Sequence, residues 1–337
     1  MLTRLQLERD TGSSLDPSRM TLAAFLAHWL ESVIRVKRRQ TTYERYEGII
    51  RVQIVPHLGG VAIQKLTPLH LTRLYAALHR AGLSASTIGL AHTVLHSSLL
   101  QAYRWQMVAR NVAESATPAT EGIVRAINPE ALWSDDQTRH FLAILKDEPL
   151  RAFFVLEINT GLRRGEIIGL RWPAVDLARG EIHIREQRVK VRGGMLVGSP
   201  KTASGRRSLV LSPDTAAVLR RYQETQAGER ETFGTAWAGA DYVFTSPRGK
   251  LLYPSYVDKL WRRTEARAGI PHMKFHNLRH LNATLLLNAG IHPKVVQERL
   301  GHSSITITLD RYSHVSRDLQ GAAAAALDGA FPTAEDE

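Results

Sequence analysis

From Thr21 the run Thr-Leu-Ala-Ala-Phe-Leu-Ala-His-Trp-Leu sets apolar residues at helical spacing behind a threonine suited to an N-cap, so a first amphipathic helix is predicted there. A second is predicted from Thr41 to about Ile54, stopped by Pro56 and Gly59-Gly60. Thr67-Pro68 opens a third, with threonine as cap and proline in the first turn. Ser84 or Ser86 opens a long fourth helix, which the pattern carries past Trp105 toward Asn111. Such helices in so short a stretch form a compact bundle.

Residues 1–19 are polar and loop-like after a short helical start, and 113–130 carry Ser-Ala-Thr-Pro-Ala-Thr-Glu-Gly with little periodicity, as a linker does. Asp135 to Lys146 and Leu150 to Asn159 read as helices. The period then changes. Gly180-Glu-Ile-His-Ile-Arg, Gln187-Arg-Val-Lys-Val-Arg and Arg207-Ser-Leu-Val-Leu alternate as strands do, with turns at Gly193-Gly194 and Ser204-Gly205, and Tyr242-Val-Phe is a further short candidate. From Pro254 onward the chain reads as helices. The expected fold is mainly α with a small antiparallel β-sheet, an α+β class. Its divisions are a leader (1–19), a helical domain (20–112), a linker (113–130) and a second domain (131–337).

Charge narrows the function. Lys and Arg number 44 against 32 Asp and Glu, for a formal charge of +12 in 337 residues. Between Glu47 and Glu114 there is no acidic residue, whereas Arg51, Lys65, Arg73, Arg80, Arg104 and Arg110 all fall there. DNA repels carboxylates, so an acid-free stretch suits a surface laid along phosphates. Arg51, Arg104 and Arg110 are the candidate DNA contacts; a mildly basic bundle with no ligand is the plainer alternative. The absence of cysteine excludes disulfides, thiolate metal sites and a thiol nucleophile. No stretch approaches the roughly 18 apolar residues of a membrane span, and a soluble, cytoplasmic protein is expected.

Four strings carry candidate chemistry. Arg163 follows Thr160-Gly161-Leu162, where the glycine permits a sharp turn that would aim the arginine into a cleft. Taken alone it reads rather as a surface arginine, with Arg164 and Arg171 close by. Glu166 either orients it through a charge-assisted bond or simply belongs to a solvated helix turn. His276 and Arg279, three apart at a helix start, share a face and can approach one phosphate. His280 lies four from His276, a spacing that also suits zinc, but no third ligand or His-Glu-x-x-His pattern accompanies it. No metal is assigned. Lys201, in Ser199-Pro-Lys-Thr-Ala-Ser-Gly-Arg-Arg, stands on a turn, where a lysine is ordinarily just solvated but where a flexible loop can also deliver an ammonium to a leaving oxygen. Tyr312 has polar neighbours in Asp310, Arg311, Ser313 and His314, which suits a cleft or surface better than a core. His302, upstream of it after Gly301, is placed either to hydrogen-bond a phosphate or to steady the tyrosine.

Together the strings Thr-Gly-Leu-Arg-Arg-Gly-Glu, Pro-Lys-Thr-Ala-Ser-Gly-Arg-Arg, His-Asn-Leu-Arg-His and Leu-Gly-His-Ser-Ser-Ile-Thr-Ile-Thr-Leu-Asp-Arg-Tyr-Ser-His resemble the active site of the tyrosine recombinase (phage integrase) family over roughly residues 20–327. The resemblance implies the following roles. Arg163 and Arg279 clamp the scissile phosphate, and His302 is a second phosphate-binding histidine. His276 assists proton transfer from the nucleophile, Lys201 protonates the leaving 5′ oxygen, and Tyr312 forms a 3′-phosphotyrosine. Glu166 supports the arginine. Asn277 departs from the family pattern, where many relatives have Asp.

The resemblance also implies a C-shaped clamp on double-stranded DNA, in which 20–112 is the core-binding domain and 131–337 the catalytic one. It further implies a docking helix at about Asp318 to Leu327, a homotetramer on paired sites, no cofactor, a possible directionality factor, and a nucleoid-associated location. Residues 1–19 are too few for the arm-binding domain many integrases carry, and read as its possible remnant. The expected activity is site-specific recombination, integrating or excising a phage or mobile element. A catalytically silent DNA-binding accessory protein and a type IB topoisomerase-like enzyme are the alternatives.

Overall fold

The computed structural model describes residues 19–118, 131–148, 150–200, 202–246 and 248–312. The chain forms two compact units, Met1–Val124 and Arg125–Glu337. In the first, α1 (Leu22–Trp29) is capped by Thr21, whose hydroxyl accepts from the Ala24 N–H at 3.3 Å. α2 (Gln40–Ile49) continues through a π turn at Ile50–Ile54 into Val55–Leu58. The expected stop at Pro56 is therefore displaced. Proline sits in the first turn of a restarted segment, where its missing N–H costs nothing, and the chain turns only at Gly59-Gly60.

Thr67 and Ser84 cap α3 (Pro68–Arg80) and α4 (Ala85–Arg104) as expected. α4 ends sooner than its pattern suggests. Gln106 takes φ +59°, and the buried Met107 turns back to donate its N–H to the Ala102 carbonyl at 2.9 Å. Phe25, Leu26, Trp29, Leu71, Leu95 and Leu99 are at the centre of this unit's core.

The second unit begins with α5 (Asp135–Ile144) and α6 (Arg151–Thr160); α6 is buried along almost its whole length. The short α7 (Arg164–Ile167) follows. β1 (Val175–Asp176), β2 (Glu181–Ile184) and β5 (Arg207–Val210) form an antiparallel sheet in the order β1-β2-β5, with Ile182 opposite both Val175 and Leu209. The strand at Gln187 is not part of it. β3 (Gln187–Val191) folds back on β4 (Gly194–Gly198) as a separate hairpin, made possible by Gly193 at φ +90°. Tyr242 forms only an isolated bridge with Arg171 rather than a strand.

α8 (Pro213–Phe233) has no counterpart in the sequence reading. α9 (Pro254–Ala268), α10 (Asn277–Asn288), α11 (Pro293–Leu300) and α12 (Ile305–Tyr312) complete the described chain. The expected docking helix, most of the leader, most of the linker and Lys201 lie outside the described residues.

An aromatic cluster fixes the approach to α10. Trp133 stacks on Trp261 with centroids 4.8 Å apart, and Phe141 and Phe154 pack against the pair. The indole N–H groups are satisfied by the chain just before the helix: Trp133 donates to the Pro271 carbonyl at 2.8 Å and Trp261 to that of Met273 at 2.7 Å. The segment that delivers His276 is thus bonded to the core rather than left as a free loop.

Candidate active site

Gly161 closes α6 in the left-handed conformation, φ +59°. A side chain there would meet Leu300 at 2.7 Å and Asn282 at 3.0 Å, so the turn depends on glycine for both conformation and space. Two residues on, Arg163 caps α7, and its backbone N–H donates to Glu166 Oε2 at 3.0 Å. The Arg163 side chain reaches across to the end of α11. Nη1 donates to Glu166 Oε1 at 2.7 Å and Nη2 to the Gly301 carbonyl at 2.9 Å. About a quarter of the side chain stays exposed, 27%, in a groove that His276 also lines.

Arg279, in the first turn of α10, is buried. Its Nη1 donates to the Gly161 carbonyl at 2.7 Å and its Nη2 to the Leu300 carbonyl. Both acceptors lie at helix C-termini, where carbonyls lack intrahelical partners and the helix dipole is negative. That environment compensates a buried cation. Gly301, φ +65°, then turns the chain into His302, which is buried with Nδ1 2.9 Å from the Thr308 hydroxyl. Tyr312 ends α12 one turn beyond Thr308, so the two positions share a helix face. Three of the sequence-predicted residues, Arg163, Arg279 and His302, therefore meet on one short stretch, Leu300–His302, and Glu166 is tied to it through Arg163. His276 joins them through the groove it shares with Arg163. Its ring meets that of His280 edge to face at 5.1 Å. Among the described residues no cluster of metal-binding side chains occurs.

The sequence signature of the Phage integrase family matches residues 133–318, more than half of the chain, and that of the phage integrase N-terminal SAM-like domain matches 21–79. The chain belongs to the phage integrase family. It is a tyrosine recombinase, an enzyme that breaks and rejoins DNA in site-specific recombination. Among its relatives is a tyrosine recombinase XerC-like protein of Caldanaerobacter subterraneus subsp. tengcongensis, 30% identical over 90% of this chain and 82% of the relative. The integrase of Mycobacterium phage L5 is 25% identical over 88% of this chain and 76% of its own. In fold, the chain resembles the Tn1549 transposon integrase in complex with a circular intermediate DNA, at a TM-score of 0.77 and 21% identity, covering 91% of this chain and 99% of that one. It also resembles a lambda integrase tetramer bound to a Holliday junction, at a TM-score of 0.65 and 20% identity, covering 89% and 82%.

Three features around the candidate site escaped the sequence. Arg207 opens β5 and donates Nη2 to Glu166 Oε2 at 3.0 Å. Arg188, on β3, lines the same groove as Arg163 and His276 yet is only 4% exposed, and its guanidinium lies 5.0 Å from the Tyr242 ring. Its Nη1 has no hydrogen-bond partner among the described residues. The third feature is Glu157. It is buried in α6, and burial lifts its carboxyl well above the usual carboxylate range. The Arg279 charge works against that rise and the Glu166 charge adds to it. Arg207 stands within a string already singled out, but only the fold reveals its partner.

Of the DNA-contact candidates in the helical unit, Arg104 and Arg110 are exposed, Arg104 closing α4. Arg51 is exposed too, and Nε pairs with Glu47 at 3.0 Å, which offsets part of its charge. No helix among the described residues is long and apolar enough to cross a membrane.

Proposed function

We propose that Arg163 and Arg279 grip the non-bridging oxygens of one DNA phosphate while Tyr312 attacks it. The observation that carries this reading is their common anchorage, on the Gly301 and Leu300 carbonyls next to His302. Two guanidiniums fixed to the carbonyls of consecutive residues keep their spacing as charge builds on the phosphate, and preorganised donors of this kind stabilise the transition state. The Tyr312 oxygen bonds to phosphorus as the bond to the 5′ oxygen breaks. His276 takes the phenolic proton and Lys201 gives one to the departing 5′ oxygen. His302 adds a hydrogen bond to the phosphate, and Glu166 steadies Arg163. The 3′-phosphotyrosine keeps the bond energy, and attack by a 5′ hydroxyl reseals the strand, so neither nucleotide nor metal cofactor enters the scheme.

The partner is double-stranded DNA, bound by a helical core-binding domain (20–112) and a catalytic domain (131–337) joined by the 113–130 linker, with Arg51, Arg104 and Arg110 among the backbone contacts. The working assembly is a homotetramer on two sites, located at the nucleoid. Its role is integration or excision of a phage or mobile element, its direction set by an accessory factor. Support comes from relatives named as phage integrases and as the transposases of Tn916 and Tn1545.

Covalent capture tests the chemistry. The native protein and Tyr312→Phe are expressed in cells carrying the native DNA, denatured, and the linked DNA sequenced. Linked DNA from the native protein alone is expected, and it also reveals the site. No adduct on a nicked trapping duplex that the protein still binds would refute the phosphotyrosine scheme.

A further inference from the structure

Glu166 serves two arginines at once. Oε1 accepts from Arg163 Nη1 at 2.7 Å, and Oε2 accepts from the Arg163 backbone at 3.0 Å and from Arg207 Nη2 at 3.0 Å. Arg207 is nearly as buried as the carboxylate, 7% against 1% exposed. Its other donors are also committed: Nε to the Arg299 carbonyl at 2.5 Å and Nη1 to the Gly205 carbonyl at 3.1 Å. One guanidinium thus touches α7, the end of α11 and the loop that enters β5. The contact is close-packed, since a side chain at Gly301 would stand 2.7 Å from the Ser204 carbonyl and 3.1 Å from Arg207 Nη1.

We infer that Arg207 is a positioning residue for recombination, holding Glu166 in one orientation and thereby fixing where Arg163 meets the phosphate. The inference rests on the reading of Arg163 as a phosphate clamp. Arg207 makes no contact with DNA in this role and acts only through Glu166 and the two carbonyls.

Electrostatics point the same way. Burial, the largest influence on the Glu166 carboxyl, would push it up. The charge and hydrogen bond of Arg207, then those of Arg163, outweigh burial and hold it below its ordinary value. Glu157 on α6 is a further titratable group whose charge is coupled to this carboxylate. Without Arg207, burial acts against Arg163 alone. Glu166 then takes up a proton at higher pH and its ionic hold on Arg163 is lost on the acid side.

The test is single-turnover formation of the covalent adduct on the duplex recovered by capture, followed from about pH 5.5 to about pH 8.5. Arg207→Met is expected to be about 10- to 100-fold slower near pH 6 and to recover toward pH 8, with duplex affinity changed less than about threefold. In a Glu166→Gln background, which is slow at every pH, Arg207→Met should add no acid-side loss. Arg207→Lys, which keeps the charge, should restore the pH profile more than the rate. A pH-independent loss that persists in the Glu166→Gln background would mean a packing role and overturn the inference. If Arg207→Met fails to fold, Arg207→Gln decides: native rates at every pH overturn the inference, and a loss confined to the acid side supports it. Native-like cleavage by Arg207→Met overturns the positioning role and leaves the proposed function standing. No adduct from the native protein overturns both.

Discussion

Arg163 and Arg279 bind consecutive carbonyls at one helix end: Arg163 Nη2 donates to Gly301 and Arg279 Nη2 to Leu300. The arginines arrive from different directions, one from the turn after α6 and one from the first turn of α10. Their spacing is therefore set by the backbone of α11 rather than by either parent helix. The Gly161 carbonyl closes the circuit by accepting from Arg279 at 2.7 Å. A phosphate clamp needs that rigidity, because donors that must move during reaction lose much of their effect.

Arg163→Ala should leave duplex binding largely intact and slow adduct formation by about 10²- to 10³-fold, the usual scale for losing one transition-state donor. Binding by gel shift and adduct yield on denaturing gels separate the two effects. Cleavage at the native rate by this variant would remove Arg163 from the mechanism.

Gly161→Ala should destabilise the catalytic unit by about 1–3 kcal/mol. The left-handed φ of +59° and the 2.7 Å approach to Leu300 both oppose a methyl group. Because the same turn carries Arg163 and accepts from Arg279, cleavage should fall by more than the loss of folded protein explains. Chemical denaturation, paired with adduct rates per folded molecule, measures both.

Much of this was legible because the signals are local. Thr21, Thr67 and Ser84 announce helix starts by chemistry confined to one turn. The Thr160–Glu166 string likewise holds its glycine turn and its ion pair within a few residues. What stayed hidden depends on distant partners or on geometry the letters do not carry. The acceptor of Arg207 lies 41 positions away, and the ring beside Arg188 belongs to Tyr242. The π turn that carries a helix through Pro56 and the left-handed Gln106 that ends α4 are tertiary adjustments. α8 is different. Ser212 accepting from Thr215, with Pro213 in the first turn, is a readable cap, so that helix was there to be found.

Glu157→Gln should flatten the pH dependence of stability. Burial raises the folded-state pKa of Glu157, so the folded protein keeps a proton the unfolded chain has already lost. Stability then declines as pH climbs from the ordinary carboxylate pKa toward the raised one. Glutamine keeps the shape without titrating. Relative to the native protein, the variant should gain stability as pH rises above the ordinary carboxylate range, and each kcal/mol gained appears as about 2–4 °C in Tm. Parallel melting curves for the two proteins over that rise would mean that Glu157 does not titrate between folded and unfolded states.

Arg188→Met should weaken DNA binding mainly through its salt dependence. Arg188 is buried against Tyr242, and no carboxylate pairs with it among the described residues. By contrast Arg171, over the same ring at 4.2 Å, is neutralised by Glu186 and Asp241, each at 2.6 Å. The groove beside Arg163 therefore holds a buried positive charge without a carboxylate partner among the described residues, and a DNA phosphate entering the groove would compensate it. Removing one such contact lowers the slope of log affinity against log salt by roughly 1. Titrations of Tyr312→Phe, with and without Arg188→Met, at several salt concentrations isolate this effect from cleavage. An unchanged slope with a lowered Tm would place Arg188 in the packing of the unit instead of on the path of the DNA backbone.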